Sequence, residues 1–310
     1  MVWVIGCNNY IGLEIIKQLK ENKIPFVGTD KELDITDITA LEDFEKNIER
    51  EAYLNYENSD RHIRWVINCS TIQPVRAEIC EEIPEENLKK INLDGALNVA
   101  RVTRKIGAKL IHFSNAFVFN GNSTVSYSED MEKNPFGIYG KYVSLGEDAV
   151  QKEINQYYII RTGELFGDVE EIKQLFLKFE NSEEISVVTG KQNAPTSVLD
   201  LAAMILKLIQ KTDSAKEIFG RKSAPSFGIY NFCNGGKGSN YEFMQELYKF
   251  GTKYKKITGK CNIKPVSKQE ASAEFLVPEN SALNTEKIVK TLKIKIPDWQ
   301  NSLEKIIKTI

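Results

Sequence analysis

The chain has 310 residues, of which 42% are hydrophobic and 27% charged, and its formal net charge is −2. That is enough apolar material for a substantial core and too much for a disordered chain, and the length suits one large or two ordinary domains. The near-neutral balance supplies no basic field, so no nucleic-acid partner is expected.

Met1 to Ile5 is an apolar run ending at Gly6, and Leu13 to Leu19 follows Gly12 with helical spacing, which predicts strand, turn, helix. Val2 to Gly6 is far too short to span a membrane and carries no cleavable signal pattern, so a cytoplasmic protein without a membrane partner is expected. A second short strand is predicted at Ile24 to Thr29, ending at Asp30. Leu41 to Arg50 reads as a helix, Trp65 to Cys69 as a buried strand, and Leu88 to Lys105 as a helix. Lys109 to Ser114 is the next strand, Tyr139 to Val150 the next helix, and Tyr157 to Arg161 a further strand. Strands rich in Val and Ile that alternate with helices predict an α/β fold, a Rossmann-like doubly wound parallel sheet covered on both faces.

After Arg161 the texture changes. Extended pieces at Ile185 to Val188 and Gly228 to Cys233 mix with helices near Leu199 to Gln210, Tyr241 to Phe250 and Leu303 to Ile310. Residues 1–160 are therefore expected to form the dinucleotide-type domain. Residues 161–310 are expected to form mainly a smaller α+β substrate domain, with segments returning to the first sheet. The five cysteines, Cys7, Cys69, Cys80, Cys233 and Cys261, are odd in number and include no Cys-x-x-Cys. Neither a disulfide framework nor a zinc site is indicated, no metal is expected, and thiols buried in a reducing compartment are the simplest account. The short Lys-rich stretch Lys253 to Lys260 reads as solvated.

Gly6-Cys7-Asn8-Asn9-Tyr10-Ile11-Gly12 occupies a strand-to-helix turn. A dinucleotide site needs glycines there for a tight turn and a close backbone approach to pyrophosphate, with helix N-terminal amides as donors. The spacing is Gly-x-x-Gly-x-x-Gly with Asn9 in the middle place, and an ordinary βα turn would look the same. Asparagine tolerates left-handed backbone angles but adds a side chain where phosphates would pass. Asp30, about 20 residues further on, stands where a carboxylate binds the adenosine ribose hydroxyls. Asn68-Cys69-Ser70-Thr71 and Ser114-Asn115-Ala116-Phe117 each follow a strand, at the sheet edge where ligands of open α/β sheets bind. Asn92 lies on the intervening helix and could equally be a plain surface or capping amide. His112, inside a strand, reads as a satisfied core histidine, and His62, among charged residues, as solvated.

In order and spacing these segments resemble the dTDP-4-dehydrorhamnose reductase family of extended short-chain dehydrogenases. The resemblance runs nearly end to end: Glu32-Leu33-Asp34-Ile35-Thr36-Asp37, Val66-Ile67-Asn68, Ile91-Asn92, His112-Phe113-Ser114 leading to Val118-Phe119-Asn120-Gly121, Tyr139-Gly140-Lys141 and Leu145-Gly146-Glu147. It continues through Arg161-Thr162, Ala194-Pro195-Thr196, Asn280-Ser281-Ala282-Leu283-Asn284 and Ile296-Pro297-Asp298-Trp299. It implies NADPH or NADH bound by Gly6, Asn9, Tyr10, Ile11, Gly12, Asp30, Asn68, Cys69 and Ser70. It also implies a nucleotide sugar held near Asn92, Pro195 and Thr196 between the two domains, and catalysis by Tyr139 with Asn115.

The departures from the family pattern cluster at the chemistry. The family's catalytic threonine is Asn115, and the lysine of its Tyr-x-x-x-Lys is Val143, one helical turn after Tyr139. Lys141 does not replace it, because two residues along a helix it points about 200° away. An aromatic of the family is Glu164, and an Arg-Pro is Val277-Pro278. The resemblance therefore implies either a reductase of a nucleotide 4-keto sugar with impaired or altered catalysis, or a non-catalytic nucleotide-binding subunit. The regulatory β subunit of methionine adenosyltransferase resembles the same reductases. A homodimer or a protein partner is also expected.

Overall fold

The computed structural model describes residues 1–54, 62–71, 83–190, 193–215, 217–218, 221–222, 224–267, 270 and 278–310; Cys80 and Val277 lie outside them. The first half runs β1 (Val2–Ile5), α1 (Tyr10–Glu21), β2 (Phe26–Thr29), α2 (Ile38–Leu54), β3 (Trp65–Asn68) and α3 (Glu85–Lys89). A π-helical turn (Lys90–Gly95) leads into α4 (Ala96–Lys105), then β4 (Lys109–Asn115), α5 (Gly137–Glu153) and β5 (Tyr157–Thr162). The second half runs β6 (Leu165–Phe166), α6 (Val169–Glu180), β7 (Glu184–Val188), β8 (Thr196–Ser197) and α7 (Val198–Asp213). Next come β9 (Glu217–Ile218), β10 (Arg221–Lys222), β11 (Gly228–Phe232), α8 (Asn240–Lys253), β12 (Asn262–Val266), α9 (Glu286–Leu292) and α10 (Trp299–Thr309).

Six strands form one sheet in the order β2-β1-β3-β4-β5-β11, and every neighbouring pair is parallel. The chain reverses its progress across the sheet between β1 and β3, so the carboxyl ends of those two strands flank the natural ligand crevice of such a fold. Alternation along β1 sorts its side chains. Val2 and Val4 join a core with Ile11, Ile15 and Leu19 of α1 and Leu201, Ile205 and Leu208 of α7. Trp3 and Ile5 point the other way, into a core with Val99, Ala100 and Val102 of α4 and Val150 of α5. Each such fully buried side chain stabilises the sheet–helix sandwich by roughly 1.5–3 kcal/mol. Trp3 also satisfies its indole N–H on Thr29 Oγ1, 2.9 Å away.

The second half contributes to both lobes. β11 extends the main sheet, and α7 and α9 pack on the α1 face. The remainder forms a separate core from Phe166, Phe176, Phe179, Ile185, Leu247, Phe250, Trp299 and Leu303. There β7 and β12 pair in parallel and α8 starts with a reciprocal capping box between Ser239 and Glu242. The short strands β6 and β8 also pair in parallel.

The helix expected over Leu88 to Lys105 is not uniform. A π-helical turn interrupts it at Lys90–Gly95, and π turns inside helices are frequent at functional positions. Gly146 of α5 backs directly onto this turn, since a Cβ there would fall 2.1 Å from the Asn92 carbonyl oxygen.

Candidate active site

Gly6 closes β1 with φ +74°, a left-handed angle that suits glycine. Gly12 lies so close to the turn that a Cβ would sit 2.3 Å from the Gly6 carbonyl oxygen. Asn9 is the N-cap of α1, and its backbone is extended (φ −76°, ψ 162°) rather than left-handed. Its side chain is not loose in the phosphate path: Oδ1 accepts from the Gly12 amide at 2.8 Å and Nδ2 donates to the Cys69 carbonyl at 2.6 Å. The Leu13 amide bonds the Asn9 carbonyl. The amides of Tyr10 and Ile11, which have no carbonyl one turn behind them in the helix, therefore form the donor end of α1. Asp30 is half-buried at the end of β2, and its amide donates to Glu32 Oε1 at 2.7 Å. Burial, reinforced by Asp30 and Glu32, pushes the Cys7 thiol up, so it stays protonated.

Several residues expected to touch ligand also make bonds within the protein. Asn68 is fully buried. Its Oδ1 accepts from the Ser70 amide at 3.0 Å, and its Nδ2 lies 3.3 Å from His112 Nδ1. Cys69 is buried, with its thiol pushed up by desolvation; its carbonyl takes the Asn9 bond. Thr196 is also fully buried. Its hydroxyl accepts from the Gly163 amide and donates to the Ala194 carbonyl, while its amide bonds the Glu164 carbonyl. Thr196 thus helps shape the β6–β8 seam, and Pro195, buried beside it, accepts from the Asn234 amide.

Tyr139, Asn115, Asn92, Val143, His112, Phe113 and Thr71 line one narrow cavity. It encloses about 190 Å³ including its mouth, yet leaves no room to seat a water molecule. Tyr139 and Val143 lie one turn apart on α5 and both are buried. Gly140 lets α5 approach the short turn Ala116–Val118 that follows β4, because a Cβ there would meet the Phe117 carbonyl oxygen at 2.2 Å. Asn115 Nδ2 donates to the Tyr139 hydroxyl at 2.5 Å, while Asn115 Oδ1 accepts from the Phe117 amide at 3.0 Å. Phe117 also meets the Tyr139 ring edge-on, at 5.3 Å between centroids. Lys141 faces outward, its ammonium 3.6 Å from Glu85, and Tyr142 donates to the same carboxylate. Neither approaches the role of a lysine at 143.

His112 is held neutral, because desolvation pushes its pKa down to about 4 against a smaller opposing pull from Glu147. Below it lies an ionic group that the linear sequence did not reveal. Glu147 takes a two-point bond from Arg161, at 2.8 and 2.7 Å, and a third from Ser114 Oγ at 2.6 Å. Lys133 Nζ stands 3.5 Å away. Burial alone would raise the Glu147 carboxyl, but Arg161, Lys133 and Ser114 outweigh it and hold the group below the usual range. Removing one partner would leave a buried charge uncompensated, at a cost of roughly 3–5 kcal/mol. The pair ties α5 to β4 and β5 directly behind Asn115 and Tyr139.

Glu164 is exposed, and its carboxylate accepts from Asn193 Nδ2. Tyr10, at the start of α1, has its phenol pushed up by burial and by Glu171, Asp168 and Glu164. Among the described residues no group of three or more His, Cys, Asp or Glu side chains could hold a metal ion. No helix among them is long and apolar enough to cross a membrane.

Comparison with known proteins places the whole chain. The spore coat polysaccharide biosynthesis protein SpsK of Bacillus subtilis is 31% identical over 250 residues, covering 79% of this chain and 77% of that protein. The methionine adenosyltransferase 2 subunit beta of Xenopus laevis is 28% identical over 77% of this chain and 68% of its own. A crystal structure of dTDP-4-dehydrorhamnose reductase from Bacillus anthracis, in complex with NADP, superposes with a TM-score of 0.81 at 28% identity, covering 100% of this chain and 99% of that one. The family model described as RmlD substrate binding domain matches residues 1–310, and with the parallel sheet and cleft just described the chain belongs to the dTDP-4-dehydrorhamnose reductase family.

Proposed function

We propose that the protein is an NAD(P)H-dependent reductase of a nucleotide 4-keto sugar in which Tyr139 is the proton donor. The observation that carries this is the Asn115–Tyr139 pair, buried and hydrogen-bonded in a cavity at the carboxyl edge of β4. The dinucleotide fits the crevice between β1 and β3. The Tyr10 and Ile11 amides at the positive end of α1 would meet the pyrophosphate, with Gly6, Asn9 and Gly12 shaping the turn beneath it. Asp30 would accept from the adenosine ribose hydroxyls, and Cys69 and Ser70 would wall the crevice.

When bound, NAD(P)H supplies a hydride to the carbonyl carbon of the sugar. Tyr139 gives its phenolic proton to the carbonyl oxygen, and the second N–H of Asn115 polarises that oxygen. Asn92, buried on the π-helical turn, borders the same cavity and orients the sugar. Without an ammonium at position 143 proton transfer is slowed, and an acid–base group of this kind accounts for about 10²–10⁴ in rate. The test is calorimetry with NADH and NADPH, followed by cofactor oxidation in the presence of a dTDP-4-keto-6-deoxy sugar. Binding of one cofactor and sugar-dependent oxidation are expected; failure of both cofactors to bind at millimolar concentration would refute the proposal.

A second reading is a non-catalytic nucleotide-binding subunit that assembles with another protein. Val143 in the lysine place supports it, as does the similarity to a methionine adenosyltransferase subunit. Cofactor binding without turnover of any nucleotide 4-keto sugar would favour it.

A further inference from the structure

We infer that the fold holds one internal water molecule, bound between Arg161 Nη1 on β5 and Asn231 Oδ1 on β11, where it completes the bonding of the buried arginine. This site lies outside the proposed reductase chemistry and does not depend on it.

Two buried polar atoms carry the inference. Arg161 is 1% exposed and Asn231 0%. Among the described residues neither Arg161 Nη1 nor Asn231 Oδ1 has a hydrogen-bond partner. The first is a donor and the second an acceptor. Their strands run side by side: β5 and β11 pair in parallel, with Arg161 and Asn231 as register partners. Side chains in register project from the same face of a sheet, and neighbouring strands lie ~4.8 Å apart. The face is that of α5, since Ile159 and Ile229, two residues earlier on each strand, join the core that contains Val150 of α5.

Turning either side chain does not remove the need. Arg161 commits Nε and Nη2 to the two oxygens of Glu147, at 2.8 and 2.7 Å. In a planar guanidinium the third nitrogen then points away from that carboxylate. Asn231 Nδ2 donates to the carbonyls of Tyr127, at 2.9 Å, and Asn284, at 3.2 Å. A flipped amide would set its oxygen against both carbonyls, so Oδ1 keeps its direction. Aromatic rings link the two residues on one side. Phe119 lies 5.1 Å from the guanidinium carbon and stacks on Tyr127 at 4.2 Å, and the Tyr127 carbonyl is one of those bonded to Asn231. An aromatic face accepts an N–H only weakly, and it does nothing for Oδ1.

The chemistry of the pair selects the occupant. A molecule between them must accept from the arginine and donate to the amide oxygen. A cation would face the guanidinium charge. An anion would face the Asn231 oxygen, beside an arginine already neutralised by Glu147. Water does both, and internal waters characteristically bridge buried groups of this kind. A buried donor or acceptor left bare keeps its full desolvation penalty, so the water stabilises the seam between β5 and β11, the edge strand of the sheet.

The test is a crystal structure of the unsubstituted protein, grown with bromide as the halide and at a resolution that shows ordered water. One density peak without a bromide anomalous signal is expected, within ~2.7–3.2 Å of both atoms. A direct Arg161–Asn231 bond, an empty gap or a bromide ion at that place overturns the inference. In solution, magnetic relaxation dispersion of the water oxygen counts waters held far longer than surface hydration. Asn231→Leu should lower that count by one, and an unchanged count overturns the inference as well. The variant also loses the bonds to the Tyr127 and Asn284 carbonyls; should it fail to fold, the crystal structure of the unsubstituted protein decides alone.

Discussion

Replacing His112 by glutamine should flatten the acid side of the stability profile. His112 is buried with a pKa pushed down to about 4, against 6.5 for the free group. Above the unfolded value the imidazole is neutral in both states and adds no pH dependence. Between the unfolded and folded values the unfolded chain takes up a proton that the native protein refuses. Stability present above the unfolded value is therefore lost as pH falls towards the folded value, and the loss levels off below it. The difference of 6.5 − 4 = 2.5 units corresponds to roughly 3 kcal/mol at 1.36 kcal/mol per unit. Glutamine takes no proton in this range, and a changed contact with the Asn68 amide would shift its whole curve without tilting it. Urea unfolding of both proteins at a series of pH values between about 7.5 and 4.5 should show the native curve falling about 2–3 kcal/mol more than the variant's. Glu147, whose carboxyl is held low, also loses stability as acid protonates it. That loss is common to both proteins and cancels in the difference. Parallel curves would show that His112 takes up a proton inside the fold as readily as outside.

Val143→Lys should place an ammonium one turn from Tyr139. In the protein without cofactor it should lower stability by on the order of 2–3 kcal/mol, because the cavity seats no water to solvate the charge; reduction of a nucleotide 4-keto sugar should rise by ~10². The stability loss without any gain in rate would mean that proton delivery is not what limits the protein. Asn9→Ala removes the α1 cap and the link to Cys69 together, and should cost about 1 kcal/mol in denaturant unfolding. An unchanged midpoint would show that neither bond matters to stability.

Hydrophobic periodicity made the sheet legible because its strands are buried on both faces. Met1 to Ile5, Trp65 to Cys69 and Lys109 to Ser114 all read as near-continuous apolar runs. The same logic located α5, and with it the shared face of Tyr139 and Val143. Helix α6 was not foreseen, although its cue is local: Asp168 caps it by accepting from the Glu170 and Glu171 amides, and Ile172, Phe176 and Phe179 follow at helical spacing. Within the site, the family resemblance pointed to Tyr139 and Asn115, but not to what each side chain bonds. Asn68 and Thr196 sit at sequence positions where ligands gather, yet the turns at the sheet edge need their polar groups for backbone partners. Asn9, expected to add a side chain where phosphates pass, also caps α1 and bonds the Cys69 carbonyl. The Ser114–Glu147–Arg161 group was hidden because its members come from three separate elements, and only their assembly in the fold creates the pairing.

The decisive comparison is the rate of NADPH or NADH oxidation by the unsubstituted protein and by Tyr139→Phe, with a dTDP-4-keto-6-deoxy sugar present and with cofactor binding measured in parallel. If Tyr139 donates the proton, both proteins bind cofactor with the same affinity, and the phenylalanine variant loses at least ~10² of the sugar-dependent rate. Equal rates in the two proteins would contradict the assignment of Tyr139. Undiminished cofactor binding without sugar-dependent oxidation in either would contradict the reductase itself.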